Sequence, residues 1–230
     1  MFDLQASNVV TLNIAVSSNF LTTFNTIANE FEKHFKFKIN VCSDSTASLY
    51  NKIIHKAPFD IFISADAKHP VLLENIFFTK SFVYAYGNLV LYSRNFKKRK
   101  NMFRHVYCFL NMAVANKMLS PYGKASYNII ENLQIKIKKV VIGMNINQTY
   151  NFICFNSTYV GFVSLSHVVT TNIDKMLIWV VPLYLYPLIE QRIIPLKDEN
   201  TNKSIHYFLN YFKTDEVKGI ISRYGYNIVT

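Results

Sequence analysis

Cysteine, glycine and tryptophan are scarce in this sequence. Its 230 residues include three cysteines, six glycines and one tryptophan. The cysteines are odd in number and widely spaced, with no CxxC pair, so the sequence predicts no disulfide framework. No GxSxG, Walker or GxGxxG motif is present, and six glycines are few for an enzyme that holds phosphate in a glycine-rich loop. These absences argue against an α/β-hydrolase, a P-loop nucleotide-binding enzyme and a dinucleotide-binding enzyme.

Patterns for metal binding and for paired-carboxylate catalysis are also missing. The six histidines form no HxxxH or HExxH motif, so we expect no site for a free metal cation and no cofactor. Asp60 and Asp66 are the closest candidates for a catalytic pair, but their spacing along and past a predicted strand gives no facing geometry. His167 stands alone, as packing or surface histidines usually do. We therefore expect no catalytic residues, with an enzyme on the same scaffold as an alternative.

Hydrophobic residues make up 50% of the sequence, which is typical of a folded globular protein. The longest apolar run, residues 176–189, is interrupted by Pro182 and Pro187 and is too short to span a bilayer comfortably. The first ten residues, MFDLQASNVV, lack the charged, apolar and cleavage-site regions of a signal peptide. The sequence thus predicts a folded protein in which the apolar run is a buried strand and crossover.

Basic residues exceed acidic ones by 25 to 14, which gives a formal net charge of +11. The lysines are spread along the chain, and their one cluster, residues 97–100, falls in a predicted polar loop. We interpret this cluster as a solvated loop. A nucleic-acid or membrane-surface binding protein is an alternative, which would bind with a steep salt dependence. Positive charge would also steer an anionic ligand towards the protein.

Strand-like and helix-like segments alternate along the whole chain, which predicts an α/β fold with mainly parallel sheets flanked by helices. Residues 10–16 and 37–42 are typical of strands, and residues 20–35 carry apolar side chains at helical spacing. Two long extended runs, near 81–93 and 180–197, are predicted to cross between two lobes.

The two crossover segments divide the chain into a discontinuous lobe and a continuous one. The first lobe contains residues 1–85 and 187–230, and the second contains residues 86–186. Within the second lobe, residues 159–166 are predicted to form a strand. Open α/β sheets bind ligands at the carboxyl ends of their strands, where helix N-termini converge. We therefore expect a ligand-binding cleft between the lobes.

Small neutral hydrogen-bond donors are concentrated where predicted strands lead into helices. Four junctions share this feature: AVSSNF (15–20), CSDSTAS (42–48), ANKMLSPYGKAS (115–126) and GMNINQTY (143–150). One Ser, Thr, Asp or Asn is enough to cap a helix, so a single junction would indicate capping alone. Four junctions, two from each predicted lobe, indicate a site for a small anion, which helix N-termini attract through their free amides and dipole.

The order and spacing of these junctions resemble the molybdate-binding proteins of bacterial ABC importers. The matching stretches cover nearly the whole chain, and the most specific are KAPFDIFISAD (56–66) and LSPYGKA (119–125). The resemblance implies a two-lobed fold of the type II periplasmic-binding-protein class that captures molybdate or tungstate and delivers it to an ABC permease. It also implies a periplasmic or otherwise extracytoplasmic location. We expect a monomer that binds no nucleic acid, with sulfate or phosphate as the alternative ligand.

The resemblance also implies which residues bind the anion. Six positions match the binding residues of the family: Ser18, Asn19, Ser45, Thr46, Tyr122 and Ile146. The first four belong to the first predicted lobe, whereas Tyr122 would offer its phenol and Ile146 its backbone N–H from the second. All six are uncharged donors. Their hydrogen bonds to a charged group would be roughly twice as strong as those between neutral groups.

Two residues depart from the family pattern, which usually has glycine at the positions of Asp44 and Ala47. A carboxylate beside a dianion would repel it unless Asp44 points outward or caps the following helix. We therefore expect replacement of Asp44 by glycine to strengthen oxyanion binding.

Overall fold

A computed structural model describes residues 10–94, 108–155, 158 and 160–229. The predicted basic cluster at 97–100 lies outside these residues. In the described ranges, no helix combines the length and the apolar character needed to cross a membrane. These ranges contain two β-sheets with helices packed on their faces, so the predicted two-lobed α/β fold is confirmed.

The first sheet belongs to the first lobe and is built from both ends of the chain. Its strands are β1 (Val10–Ser17), β2 (Phe37–Asp44), β3 (Ile61–Ser64), β4 (Phe82–Gly87), β10 (Ile189–Pro195) and β11 (Asn227–Ile228). Their spatial order is β11–β4–β10–β3–β1–β2. β1 runs parallel to β2 and β3, and Ser17 at its end lies opposite Asp44 at the end of β2. The two junctions that follow therefore leave the sheet at the same edge.

The second sheet belongs to the second lobe. Its strands are β5 (Leu89–Ser93), β6 (Cys108–Ala115), β7 (Lys136–Gly143), β8 (Val160–Ser164) and β9 (Ile178–Val180). Their spatial order is β7–β6–β8–β5–β9. β6 is parallel to β7 and β8, whereas β5 is antiparallel to β8 and β9. The parallel core of each sheet thus follows the prediction, and antiparallel strands are added beside it.

In the part of the chain that the structure describes, eight α-helices cover the faces of the two sheets. They are α1 (Leu21–His34), α2 (Thr46–Ile54), α3 (Lys68–Phe77), α4 (Pro121–Asn132), α5 (Ile146–Cys154), α6 (Leu165–Thr170), α7 (Lys203–Phe212) and α8 (Asp215–Arg223). Helix α1 illustrates the cause of their packing, because Phe24, Ile27 and Phe31 follow one another at helical spacing and are fully buried. Phe31 packs edge-on against Phe208 of α7.

Among the described residues, the chain passes between the lobes at two places. Only Asn88 separates β4 in the first sheet from β5 in the second. The side-chain amide of Asn88 donates to the backbone carbonyl of Gly225 at 3.0 Å, and the backbone carbonyl of Asn88 accepts the Leu165 N–H at 2.9 Å. The second passage leads from β9 to β10. The extended run near 81–93 is therefore two strands in two different sheets.

The predicted strand at 159–166 is wrong in its last two residues. β8 ends at Ser164, and α6 begins at Leu165. Ser164 is paired with Leu89, the first residue of β5, so the neighbouring strand offers no partner beyond this point. The chain turns into a short helix there, which buries Ser166 and Val168.

Candidate functional site

The donor-rich junctions of the two lobes meet at the boundary between the sheets. The backbone N–H of Ala47, in the first turn of α2, donates to the carbonyl of Leu119, just before α4, at 3.2 Å. The side-chain amide of Asn19 lies 3.4 Å from the phenol oxygen of Tyr122 and donates to it. The turn that contains Asn19 also contacts α5. Helix starts from both lobes therefore face one another across this boundary.

Ser18 and Asn19 form the first junction, in a 3-10 turn (Ser18–Phe20) between β1 and α1. Both residues are buried. The side-chain amide of Asn19 donates to Gln191 Oε1 at 2.8 Å and to the phenol oxygen of Tyr226 at 3.1 Å. Contacts to β10 and to the C-terminal segment thus hold the Asn19 amide in place.

Ser45 and Thr46 form the second junction, where β2 leads into α2. Ser45 is the N-cap, since its hydroxyl oxygen accepts the N–H of Ser48 at 3.3 Å. The Ser45 hydroxyl donates to Ser48 Oγ at 2.7 Å, so its proton already has a partner. Thr46 Oγ1 lies 3.0 Å from Ser17 Oγ. The amide of Thr46, as the first residue of the helix, has no intrahelical acceptor and is available to an anion.

Asp44 does not cap α2, but its charge is compensated. Its Oδ2 forms a 3.0 Å ion pair with Lys52, the seventh residue of α2. The hydrogen bond from Lys52 raises the pKa of that ammonium group. Asp44 Oδ1 accepts the backbone N–H of Ser45 at 2.7 Å. One oxygen of the carboxylate therefore accepts the Ser45 amide of the junction, and the other oxygen faces Lys52.

Tyr122 is the aromatic donor of the third junction. It lies in the first turn of α4, which Ser120 caps by accepting the Gly123 N–H at 3.4 Å. Its side chain is 1% exposed, and burial raises the pKa of its phenol well above the ordinary value. The phenol is therefore neutral and keeps its proton for donation. A Cβ at Gly87 would lie 2.2 Å from the Tyr122 oxygen, so only glycine leaves room for it.

Ile146 provides the fourth junction as the first residue of α5. Asn145 caps this helix, because its side-chain oxygen accepts the Gln148 N–H at 2.9 Å. The Ile146 amide itself has no intrahelical acceptor. Its side chain is 1% exposed and belongs to the hydrophobic core of the second lobe. The side chain thus anchors the helix start, and the backbone N–H of Ile146 is the predicted donor.

His167 lies behind this helix start and is part of a hydrogen-bond chain. Its Nε2 is bonded to Asn147 Oδ1, and its Nδ1 lies 2.6 Å from Ser164 Oγ. Its ring stacks on Tyr150 with centroids 5.2 Å apart. Burial lowers the pKa of His167 to about 4, so the imidazole is neutral near pH 7. His167 thus supports α5 from behind.

The acidic pair considered from the sequence is engaged in structural contacts. Asp60 is buried, pairs with Lys197 at 2.6 Å and accepts the Asn13 N–H at 2.7 Å. Asp66 pairs with His69 at 2.6 Å. Both carboxylates therefore serve to join segments of the first lobe.

One group of side chains has the composition of a cation site. Glu30, His34 and Glu216 each place a ligand atom within 4.8 Å of the others. They lie at the C-terminal end of α1 and the start of α8, at the other end of α1 from Asn19. Lys33 forms a 2.7 Å ion pair with Glu30 and supplies a positive charge there already.

A groove of 580 Å³ opens beside the boundary between the lobes. Its walls come from the start of α3, from α4 with the loop before it, and from residues 187–190. None of the six predicted anion-binding residues lines this groove. All six are at most 7% exposed. The hydrogen bonds from Ala47 to Leu119 and from Asn19 to Tyr122 join the two lobes beside them, so the lobes are closed.

Four residues at the boundary were not among the predicted site residues: Ser17, Ser166, Gln191 and Tyr226. Ser17 lies in the AVSSNF junction. Ser166 and Tyr226 lie in VGFVSLSHV (160–168) and IISRYGY (220–226), two further stretches of the resemblance that covers nearly the whole chain. Gln191 is on β10, in a segment read only as extended chain. For Ser17, Ser166 and Tyr226 the sequence signal is their place in a matching stretch, which does not indicate their contacts; for Gln191 the sequence gives no signal.

Comparison with known proteins agrees with this geometry. The family model described as bacterial extracellular solute-binding protein matches residues 12–227. The molybdate-binding protein ModA of Azotobacter vinelandii is 30% identical over 241 residues, covering 97% of this chain and 92% of that protein. The Rhodobacter capsulatus ModA is 29% identical over 225 residues, covering 92% and 86%.

Among solved structures, the periplasmic molybdate-binding protein of Azotobacter vinelandii has the same fold. The TM-score is 0.84 at 24% sequence identity, and the alignment covers 95% of this chain and all of that one. The arrangement of the two sheets is therefore shared along nearly the entire chain.

Proposed function

Because this chain belongs to the bacterial extracellular solute-binding protein family, we propose that it captures a tetrahedral oxyanion, molybdate or tungstate, between its two lobes. Binding is the activity that the description of the family gives, and two relatives are named as molybdate-binding proteins. We propose the lobe division expected from the sequence, residues 1–85 and 187–230 against 86–186, with the first boundary moved to Asn88 because β4 continues to Gly87 in the first sheet.

The observation that carries this proposal is the approach of Asn19 and Tyr122 across the lobe boundary, 3.4 Å apart and both buried. Each belongs to a junction where a strand leads into a helix. An anion bound between the lobes would accept hydrogen bonds from both sides. Such a ligand stabilises the closed arrangement, because only the closed form offers all donors at once.

The six proposed donors are Ser18, Asn19, Ser45, Thr46, Tyr122 and Ile146. Thr46 and Ile146 contribute helix-start amides, where the helix dipole favours negative charge. Ser45 can donate its hydroxyl only by turning away from Ser48, so we expect Ser45 to contribute less than Thr46. The set contains no Lys or Arg, so selection depends on the size of the anion and on donor geometry.

Delivery to an ABC permease outside the cytoplasm follows from the proposed function. The formal net charge of +11 supports rapid encounter with a dianion, since long-range attraction raises association rates. We propose that the protein acts as a monomer, since the proposed donors all come from one chain.

Calorimetric titration with molybdate, tungstate, sulfate and phosphate tests the proposal. We expect saturable heat with molybdate and tungstate at one site per chain. Heat with sulfate or phosphate alone would refute the proposed ligand and retain an oxyanion-binding protein. Absence of heat with all four anions would refute oxyanion binding. A matched Asn19→Ala variant should lose the signal if the heat comes from the proposed site.

A further inference from the structure

Two hydroxyl groups and one backbone carbonyl form a buried cluster next to the proposed anion site. The Tyr226 hydroxyl donates to the carbonyl of Asn19 at 2.7 Å. The Ser166 hydroxyl donates to the same carbonyl at 3.0 Å. The two hydroxyl oxygens are 3.2 Å apart. All three residues are buried, so these bonds are shielded from competing water.

The cluster joins the two lobes. Tyr226 precedes β11, which pairs with β4 in the first sheet, and Asn19 follows β1 in the same sheet. Ser166 lies on α6, directly after β8 of the second sheet. The bond from Ser166 to Asn19 and the 3.2 Å contact between the Ser166 and Tyr226 hydroxyl oxygens therefore form only when the lobes are closed.

A chain of hydrogen bonds continues from this cluster into the second lobe. Ser166 Oγ lies 2.8 Å from Ser164 Oγ, which in turn lies 2.6 Å from His167 Nδ1. His167 then bonds to Asn147, the residue after Ile146 at the start of α5. The C-terminal segment of one lobe is thus connected to a proposed donor of the other.

We propose that Tyr226 and Ser166 are positioning residues that latch the lobes together around the anion. This inference rests on the proposed function. The latch holds the Asn19 turn from the first lobe and, through Ser164 and His167, the start of α5 from the second. Neither Tyr226 nor Ser166 needs to contact the anion. They stabilise the closed form, so their loss accelerates release of the ligand.

Tyr226→Phe tests the latch, because it removes the hydroxyl and keeps the ring that packs edge-on against Phe20 at 5.3 Å. We expect molybdate to bind about fivefold to tenfold more weakly, as for the loss of one or two neutral hydrogen bonds. Stopped-flow fluorescence should show the change in the dissociation rate. Tyr224→Phe is the matched control, since that hydroxyl bonds to Thr26, within the first lobe, at 2.8 Å.

Small-angle X-ray scattering of the ligand-free protein gives a second measurement that needs no anion. We expect a larger radius of gyration for Tyr226→Phe and for Ser166→Ala than for the wild type, and no change for Tyr224→Phe. Equal molybdate affinity of wild type and Tyr226→Phe, or equal weakening in Tyr224→Phe, would overturn the latch. If the wild type bound no molybdate, the proposed function would fail, and an unchanged radius in Tyr226→Phe would then overturn the latch separately.

Discussion

The side-chain amide of Asn19 and the phenol oxygen of Tyr122 lie 3.4 Å apart although 103 residues separate them in the sequence. The two groups come from different lobes and meet at two helix starts. The Asn19 amide carries no charge, and the Tyr122 phenol is neutral at neutral pH because burial raises its pKa. The pair therefore places two polar groups without a fixed positive charge at the boundary between the lobes.

Tyr122→Phe should weaken molybdate binding by about 1.5–3 kcal/mol, or roughly tenfold to 150-fold, because one hydrogen bond to a charged group is lost. Isothermal titration calorimetry measures the change. Tyr127→Phe is a suitable control on the same helix, since Tyr127 lines the neighbouring groove and contacts Lys117. Unchanged affinity in Tyr122→Phe would show that the phenol does not bind the ligand.

Gly87→Ala should destabilise the closed form, because the new Cβ would lie 2.2 Å from the Tyr122 oxygen. We expect a loss of about 1–3 kcal/mol in binding or folding free energy, as for other overpacked sites. Titration and urea unfolding together separate the two effects. Adding Tyr122→Phe, which removes the clashing oxygen, should restore part of the folding stability.

Gly219→Ala is the control for this experiment. No atom lies within 4 Å of a Cβ at this position, in the interior of α8. Alanine should raise the free energy of unfolding by about 0.5–1 kcal/mol, because it is the better helix former. A loss of stability here would mean that the effect of alanine at position 87 is not specific to Tyr122.

Asp44→Gly should strengthen oxyanion binding, because it removes a carboxylate and releases the Ser45 amide that this carboxylate occupies. Lys52→Gln should have the opposite effect, since the charge of Asp44 would lose its 3.0 Å partner. Calorimetry of both variants at low ionic strength measures the change in affinity. Weaker binding by Asp44→Gly would show that Asp44 organises the junction.

His167 makes folding stability depend on pH. Its pKa is about 4 in the folded protein against an ordinary value of 6.5, so the unfolded chain binds a proton that the folded chain excludes between these values. The contribution is complete above about pH 6.5 and declines as the pH falls to about 4, with a slope of at most about 1.4 kcal/mol per pH unit.

Urea unfolding of the wild type and of His167→Gln at pH 7 and pH 4.5 checks this prediction. The difference in unfolding free energy between the two pH values should be smaller in His167→Gln. His206→Gln, which alters an exposed histidine, should keep the dependence of the wild type. The same pH dependence in all three proteins would contradict the assignment to His167.

Much of this fold could be predicted because its helices and strands carry clear local patterns. The phenylalanines of α1 recur at helical spacing, and the β1 and β2 segments are extended in the structure as expected. Local patterns did not show where the run at 81–93 divides, because both strands are apolar and Asn88 is a single polar residue between them.

The candidate site was predictable only in part for a related reason. Hydroxyls and amides at helix starts can be read from neighbouring residues, as at Ser45 and Asn145, which both cap helices. The contact between Asn19 and Tyr226 spans 207 residues, and no local pattern predicts a partner at that distance. The space that Gly87 leaves for Tyr122 is likewise a property of the assembled lobes.

The single residue between β4 and β5 has a consequence for the evolution of this chain. Side chains of a strand alternate between the two faces of a sheet, so one inserted residue next to Asn88 would turn every side chain of β5 to the opposite face. Leu89 and Leu91 belong to one hydrophobic cluster of the second lobe, and Val90 and Tyr92 belong to another. After the insertion, each pair would face the cluster that the other pair now fills. Insertions and deletions in natural variants should therefore accumulate in other connections, while the length of this junction stays constant.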